Sequence, residues 1–220
     1  MTTRSVSSLP VEQPTEAALN SGFGCSPRHL PVVAVTDRFA LPDGRLLRIR
    51  PIRLDDEQAL AAFHNTLSPE SVYFRYFNEL SLSQRVAHSC LLHTCSDDGG
   101  RATVLVAVAE AEAGALVPEI IAGVGRLARL PDGESAEFAL LISDPFQSRG
   151  VGSELLARLI RAARAAGLKK IIGLVLGENH PMRDLCRKLK FDVRWDAEEG
   201  ALRAELELTG DPGVTQILVA

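Results

Sequence analysis

Aromatic side chains make up only 5% of the 220-residue sequence, its four cysteines are irregularly spaced, and it carries no excess of positive charge. Each shortage excludes something. Cys25, Cys90, Cys95 and Cys186 match no disulfide or zinc spacing, which points to free thiols in a reducing cytoplasm. His29, His64, His88, His93 and His180 show no metal-ligand spacing either, so no metal is expected. A formal net charge of −4 argues against a nucleic-acid binder. The first thirty or so residues contain Pro10, Pro14, Pro27 and several serines, with no apolar run long enough for a signal peptide or membrane span. Without apolar periodicity they read as a disordered or loosely attached arm over 1–31. Internal repeats are also lacking.

With 46% hydrophobic residues, the chain can bury one α/β domain, placed at 32–210, with 211–220 as a tail or final edge strand. The densest signal is a glycine-bearing loop, Gln147-Ser148-Arg149-Gly150-Val151-Gly152. Before it, Phe138 to Ile142 is an apolar run of strand length. After it, Val151, Leu155, Leu159, Ile160 and Ala163 recur at helical spacing, Glu154, Arg158, Arg161 and Arg164 take the other faces, and Gly167 stops the helix. A loop between a buried strand and a helix N-terminus can aim several backbone N–H groups at one anion, most often a phosphate. Two familiar phosphate loops do not fit. A P-loop needs Lys-Ser or Lys-Thr after its last glycine, whereas Ser153-Glu154 follows Gly152. A dinucleotide loop needs a third glycine where Leu155 stands.

Lys170 to Leu176 reads as a second buried strand, completing one βαβ unit with parallel strands. Asn179 then caps a helix from Pro181 to Leu189, and a strand begins at Phe191. Strands near 102–110 and 119–129, a turn at Pro131-Asp132-Gly133, and closing strands near 191–196 and 201–208 complete a mixed sheet with helices on both faces. Earlier, Val32 to Phe39 is a short edge strand, and Arg45 to Arg53 a strand with alternating outward arginines. Asp55-Asp56 opens one helix, and Ser68-Pro69-Glu70 opens another. Tyr73, Phe74, Tyr76 and Phe77, in that second helix, are a large share of the scarce aromatics.

The Q-x-R-G-x-G loop at a strand-to-helix turn resembles the pyrophosphate loop of the GNAT superfamily, the acetyl-CoA-dependent N-acetyltransferases. Residues 178–191 resemble the segment that in this family reads N-x-x-A-x-x-x-Y-x-K-x-G-F, and the resemblance runs over roughly 45–208. It implies an α/β (α+β mixed) GNAT fold: a central mixed, mostly antiparallel sheet with one parallel splayed strand pair and helices on both faces. It also implies that backbone groups of Leu141, Ile142 and Ser143 hold the pantetheine arm. Amides from Arg149 through Gly150, Val151 and Gly152 to Ser153, led in by Gln147 and Ser148, would cradle the diphosphate. Asn179 falls where the family contacts the pantetheine or the reacting region, and it caps a helix as well.

Attack on a thioester needs a neutral amine, and a lysine of pKa ~10.4 loses about 4.6 kcal/mol to reach neutrality at pH 7. A carboxylate or relayed water must take the proton. Glu137 is expected to do so, on the pleat face of Ala139, Leu141 and Ser143, where apolar neighbours would raise its carboxyl pKa. Cys186 stands where many family members carry a tyrosine acid; a thiol could protonate the departing thiolate, or simply pack in the core. Residues 50–57 and 67–77 resemble the bacterial Pat-type protein lysine acetyltransferases, which acetylate enzymes such as acyl-CoA synthetases. The resemblance therefore implies direct acetyl transfer from acetyl-CoA to a protein lysine, such as one on an acyl-CoA synthetase; composition points to a cytoplasmic protein without membrane or nucleic-acid partners, and the oligomeric state, monomer or dimer, stays open. A small-amine acetyltransferase and a non-catalytic acyl-CoA sensor are the alternatives.

Overall fold

Strand β3 (Ala102–Ala109) is apolar except at Thr103 and buried at all but its last position, because helices cover both faces of the sheet at its centre. The computed structural model describes residues 37–87, 101–109 and 119–208. The expectations for the arm at 1–31, for residues 32–36 of the edge strand, for Cys25, Cys90, Cys95, His29, His88 and His93, and for the tail at 211–220 lie outside the described residues.

The chain runs through β1 (Asp37–Ala40), β2 (Leu46–Pro51), a 3-10 turn (Leu54–Asp56), α1 (Glu57–His64), α2 (Pro69–Tyr76) and α3 (Leu82–Arg85) before β3. Then come β4 (Ile120–Arg129), β5 (Ser135–Ile142), a second 3-10 turn (Asp144–Phe146), α4 (Val151–Ala165), β6 (Lys170–Val175), α5 (His180–Lys188), β7 (Asp192–Asp196) and β8 (Ala201–Glu207). The strands form one sheet in the order β1-β2-β3-β4-β5-β6-β8-β7, antiparallel at every join except β5 with β6. This is the expected mixed α/β architecture. Among the described residues, no helix is long and apolar enough to cross a membrane.

One face packs under α4. Leu155, Leu156 and Leu159 are fully enclosed there, each contributing roughly 2 kcal/mol of burial. The other face packs under α1 and α2 through Leu60, Phe63, Val72, Val106, Val108 and Leu141. The caps follow the sequence. Ser68 Oγ accepts from Ser71 N–H at the start of α2, and Asn179 Oδ1 from Met182 N–H at the start of α5. Helix α3 was not expected, although Ser81 and Gln84 form a capping box at its start.

Two arginines depart from expectation. Arg50, expected to point outward, is 3% exposed and makes two 2.7 Å hydrogen bonds to the Asp56 carboxylate, with a further bond to Glu119. Burial works against the Asp56 anion, but the bonds from Arg50 and from Arg53 N–H outweigh it and hold that carboxyl below its usual range. Arg158, expected on a polar face of α4, is buried, with its Nε donating to Glu154 Oε1 at 2.8 Å.

The join that matters for function is incomplete. β5 and β6 pair only at Ser135 with Lys170, Ala136 with Ile171 and Glu137 with Ile172. Beyond Glu137 they separate, while β5 stays on β4 as far as Ile142 and β6 stays on β8 as far as Val175. At the parting the Phe138 ring lies over Gly173, where a Cβ would meet ring atoms at 2.3–2.9 Å.

Candidate active site

The glycine loop begins where the second 3-10 turn ends. Gln147 N–H closes that turn on Asp144 O at 3.2 Å, and Glu154 N–H makes the first helical bond of α4 to Gly150 O at 3.0 Å. Between them, the N–H groups of Ser148, Arg149, Gly150, Val151, Gly152 and Ser153 meet no acceptor among the described residues. Left-handed backbone at Ser148 (φ +57°) and Gly150 (φ +89°) folds the run back on itself, a concavity suited to an anion at the positive end of α4. At Gly150 a side chain would be strained and would also press on the Phe39 ring at 3.3 Å.

Loop side chains go to other tasks. Arg149 turns away to ion-pair with Asp43 in the β1–β2 turn, and the Val151 side chain is sunk in the core. Gln147 Nε2 lies within hydrogen-bond distance of Ser71 Oγ (2.9 Å), Asp144 Oδ1 (3.1 Å) and Ile142 O (3.2 Å).

From this loop a cleft of about 820 Å³ extends into the opening between β5 and β6. Of the residues singled out from sequence, Glu137, Leu141, Ile142, Gln147, Ser148, Gly150, Gly152, Ser153 and Asn179 line it; Ser143, Arg149, Val151 and Cys186 do not. Glu137 stands at the last paired position before the strands part. It is exposed, so the apolar enclosure expected around it is not there. Asn179 is buried; its Oδ1 caps α5, which leaves Nδ2 as the group free to face the cleft.

Ser143 corrects the expectation for the pantetheine strand. Its N–H donates to Ala122 O at 3.0 Å and its carbonyl accepts from Phe146 N–H at 2.8 Å, so neither is open. Because strand groups alternate in direction, Leu141 also faces β4, while Leu140 and Ile142 face the opening. The acceptance of Gln147 Nε2 by Ile142 O is consistent with that direction. Cys186 is a second correction. It has no exposed surface, and burial pushes its thiol up to about 12. A thiol that holds its proton this tightly, with no face on the cleft, is a core group and not an acid.

Phe74 and Phe77, singled out in the sequence among the scarce aromatics, also reach the cleft, as do residues that carry no local signal. Helix α2 supplies Glu70, Ser71, Phe74 and Arg75, followed by Phe77 at its C-terminal cap, and α5 supplies Leu185 and Lys188. Asp144, one turn before the loop, accepts from Ser71 Oγ at 2.8 Å and from Ser68 N–H at 3.1 Å. These partners lie more than seventy residues apart in the chain, out of range of any motif.

Known proteins of similar sequence and fold point to one family. A family model described as an acetyltransferase (GNAT) domain matches residues 46–192. Acetyltransferase PA5475 of Pseudomonas aeruginosa is 32% identical over 161 residues, covering 73% of this chain and 82% of that protein. Among solved structures, the GNAT domain of S. lividans PAT superposes with a TM-score of 0.68 at 26% identity, over 78% of this chain and 96% of that one. Mycobacterium smegmatis RimJ, solved in complex with CoA-disulfide, shares the fold with a TM-score of 0.60 at 19% identity, over 78% of this chain and 86% of its own. The chain belongs to the GNAT acetyltransferase family and is an N-acetyltransferase that uses acetyl-CoA.

Proposed function

We propose that the acceptor is a lysine side chain on a protein. The observation that carries this reading is that the acceptor side of the cleft is bordered by exposed groups. Glu70 and Phe77 on the α2 side, Glu137 on the strand and Glu178 before α5 all line it and are exposed, so the cleft is open at the surface. A mouth of this kind admits a side chain presented by a macromolecule, and its carboxylates favour the approach of a cationic amine. The likeness to the GNAT domain of S. lividans PAT supports the same reading.

In this reading the free N–H groups between Ser148 and Ser153 hold the diphosphate, with Gln147 fixing the start of the loop. Main-chain groups of Leu140 and Ile142, together with Asn179 Nδ2, hold the pantetheine arm. Bound acetyl-CoA supplies an acetyl group activated as a thioester. Glu137 takes the proton from the acceptor ammonium, directly or through one water, and the neutral amine then attacks. A β5 N–H facing the opening polarises the acetyl carbonyl as negative charge grows on its oxygen. Exposure of Glu137 in the open cleft fits a relay through water, with enclosure completed when both substrates are present. With Cys186 withdrawn into the core, the departing thiolate takes its proton from solvent.

Incubating the chain with labelled acetyl-CoA and either protein extract or a panel of small amines tests the acceptor class. Label should appear on protein lysines, and Glu137→Gln should lower kcat by about a hundredfold, within the range for losing a general base, with acetyl-CoA affinity unchanged. Label on small amines alone would overturn the protein-acceptor reading.

A further inference from the structure

Ser71 Oγ, on the third residue of α2, is hydrogen-bonded to capacity. It donates to Asp144 Oδ1 at 2.8 Å, accepts from Gln147 Nε2 at 2.9 Å and accepts from Ser68 Oγ at 3.1 Å. One hydroxyl thus ties together the start of α2, the turn that follows β5 and the side chain that opens the anion loop. Asp144 strengthens the tie by accepting from Ser68 N–H through its other oxygen, placing a carboxylate at the positive end of α2. Glu70, Phe74 and Phe77, which line the cleft, belong to α2 or cap its end. A shift at Gln147 therefore has a direct mechanical path to the wall the acceptor must pass.

We propose that Ser71 is a positioning residue that transmits acetyl-CoA binding at the glycine loop to α2, so that acetyl-CoA and acceptor each favour binding of the other. The proposal rests on reading the loop as the diphosphate site. Ordering of the loop fixes Gln147; Gln147 fixes Ser71; and Ser71, with Asp144, fixes the first turn of α2. Linkage makes the preference reciprocal: an α2 held in place by acceptor must strengthen acetyl-CoA binding by the same factor.

Hydrogen exchange of the full chain, with and without saturating acetyl-CoA, tests this without knowledge of the acceptor. In the wild type, exchange should slow in residues 148–153 and also, by about fivefold or more, in α2, a factor at the low end of typical coupling between sites. Ser71→Ala should keep the slowing in the loop and lose it in α2, and Ser71→Thr, which restores the hydroxyl, should recover the slowing in α2. Thr66→Ala removes a neighbouring hydroxyl contact, Thr66 Oγ1 to Ser143 Oγ at 2.7 Å, and should leave the α2 response intact. If Ser71→Ala does not fold, Asp144→Asn replaces one acceptor oxygen with a donor and should show the same selective loss. A wild-type loop that slows while α2 does not, or a Thr66→Ala loss equal to that of Ser71→Ala, overturns the coupling alone. No slowing in the loop, with no calorimetric heat from acetyl-CoA, overturns the loop reading beneath it.

Discussion

Strand β5 has β6 beside it up to Glu137 and open space beyond, and the structures on the two sides of that space are made differently. The loop and the start of α4 present main-chain N–H groups, whose directions follow from backbone dihedrals at Ser148 and Gly150. The α2 side presents side chains, whose positions depend on contacts outside their own elements: Ser71 with Asp144 and, beneath α1, Arg50 with Asp56 and Glu119. A diphosphate is common to every reaction of acetyl-CoA, so main chain can serve for it. Acceptors differ from enzyme to enzyme, and recognition by side chains can change without disturbing the loop.

If the contrast holds, damage beneath α1, away from the tie at Ser71, should weaken the fold there and spare the loop. The largest effect is expected from Asp56→Ala, which leaves the buried Arg50 guanidinium with only Glu119 and the Pro51 carbonyl. Loss of one partner from a buried pair should lower stability by about 3 kcal/mol in urea unfolding. Acetyl-CoA affinity of the folded fraction should stay within about twofold, since distant sites act independently. A loop that lost its ligand along with Asp56 would erase the distinction between the two regions.

Acid should act on the same side. His64, at the end of α1, is buried, and that burial, with the positive charges of Arg85 and Arg75, lowers its pKa from 6.5 to about 4. Its folded form therefore resists a proton that the unfolded chain accepts. Stability is complete above about pH 6.5 and is lost as pH falls toward 4, with roughly 2 kcal/mol missing at pH 5 relative to pH 7. Urea midpoints measured across that window should follow this slope, and His64→Gln should flatten it.

The smallest effect sharpens the comparison at Asn179, which serves both the fold and the cleft. Asn179→Ala should cost about 1 kcal/mol through the lost cap and also weaken acetyl-CoA binding. Asn179→Asp keeps a capping oxygen, so thermal stability should change by less than about 0.5 kcal/mol while acetyl-CoA affinity falls severalfold. Equal affinity in Asn179→Asp and wild type would reduce this residue to its cap.

The division between main chain and side chain also explains what could be read in advance. The loop, α4 with its stop at Gly167, the Ser68 and Asn179 caps and the parallel pair obey local rules of spacing, dihedral preference and periodicity. Arg50 alternates correctly along β2, yet its partners lie outside the strand, and only the folded chain shows it to be inside. Ser71 and Asp144 carry no sign of their meeting. Of the β5 backbone groups expected at the opening, Ile142 faces it while Leu141 and Ser143 turn to β4, because the bond to Ala122 that fixes the alternation lies outside the strand's own sequence. Helix α3 differs again: Ser81 and Gln84 announce it locally, but its 4 residues are too few for apolar periodicity to mark a helix.

The ring lodged above Gly173 bears on how readily the enzyme takes up its coenzyme. Phe138 also meets Phe191 edge-to-face at 5.3 Å, so it is anchored from a second direction and props the two strands at a set spacing. Strands kept apart in this way have no ladder to break when a ligand slides between them. The binding slot is then ready before its occupant arrives, and little affinity is given up to prying it open.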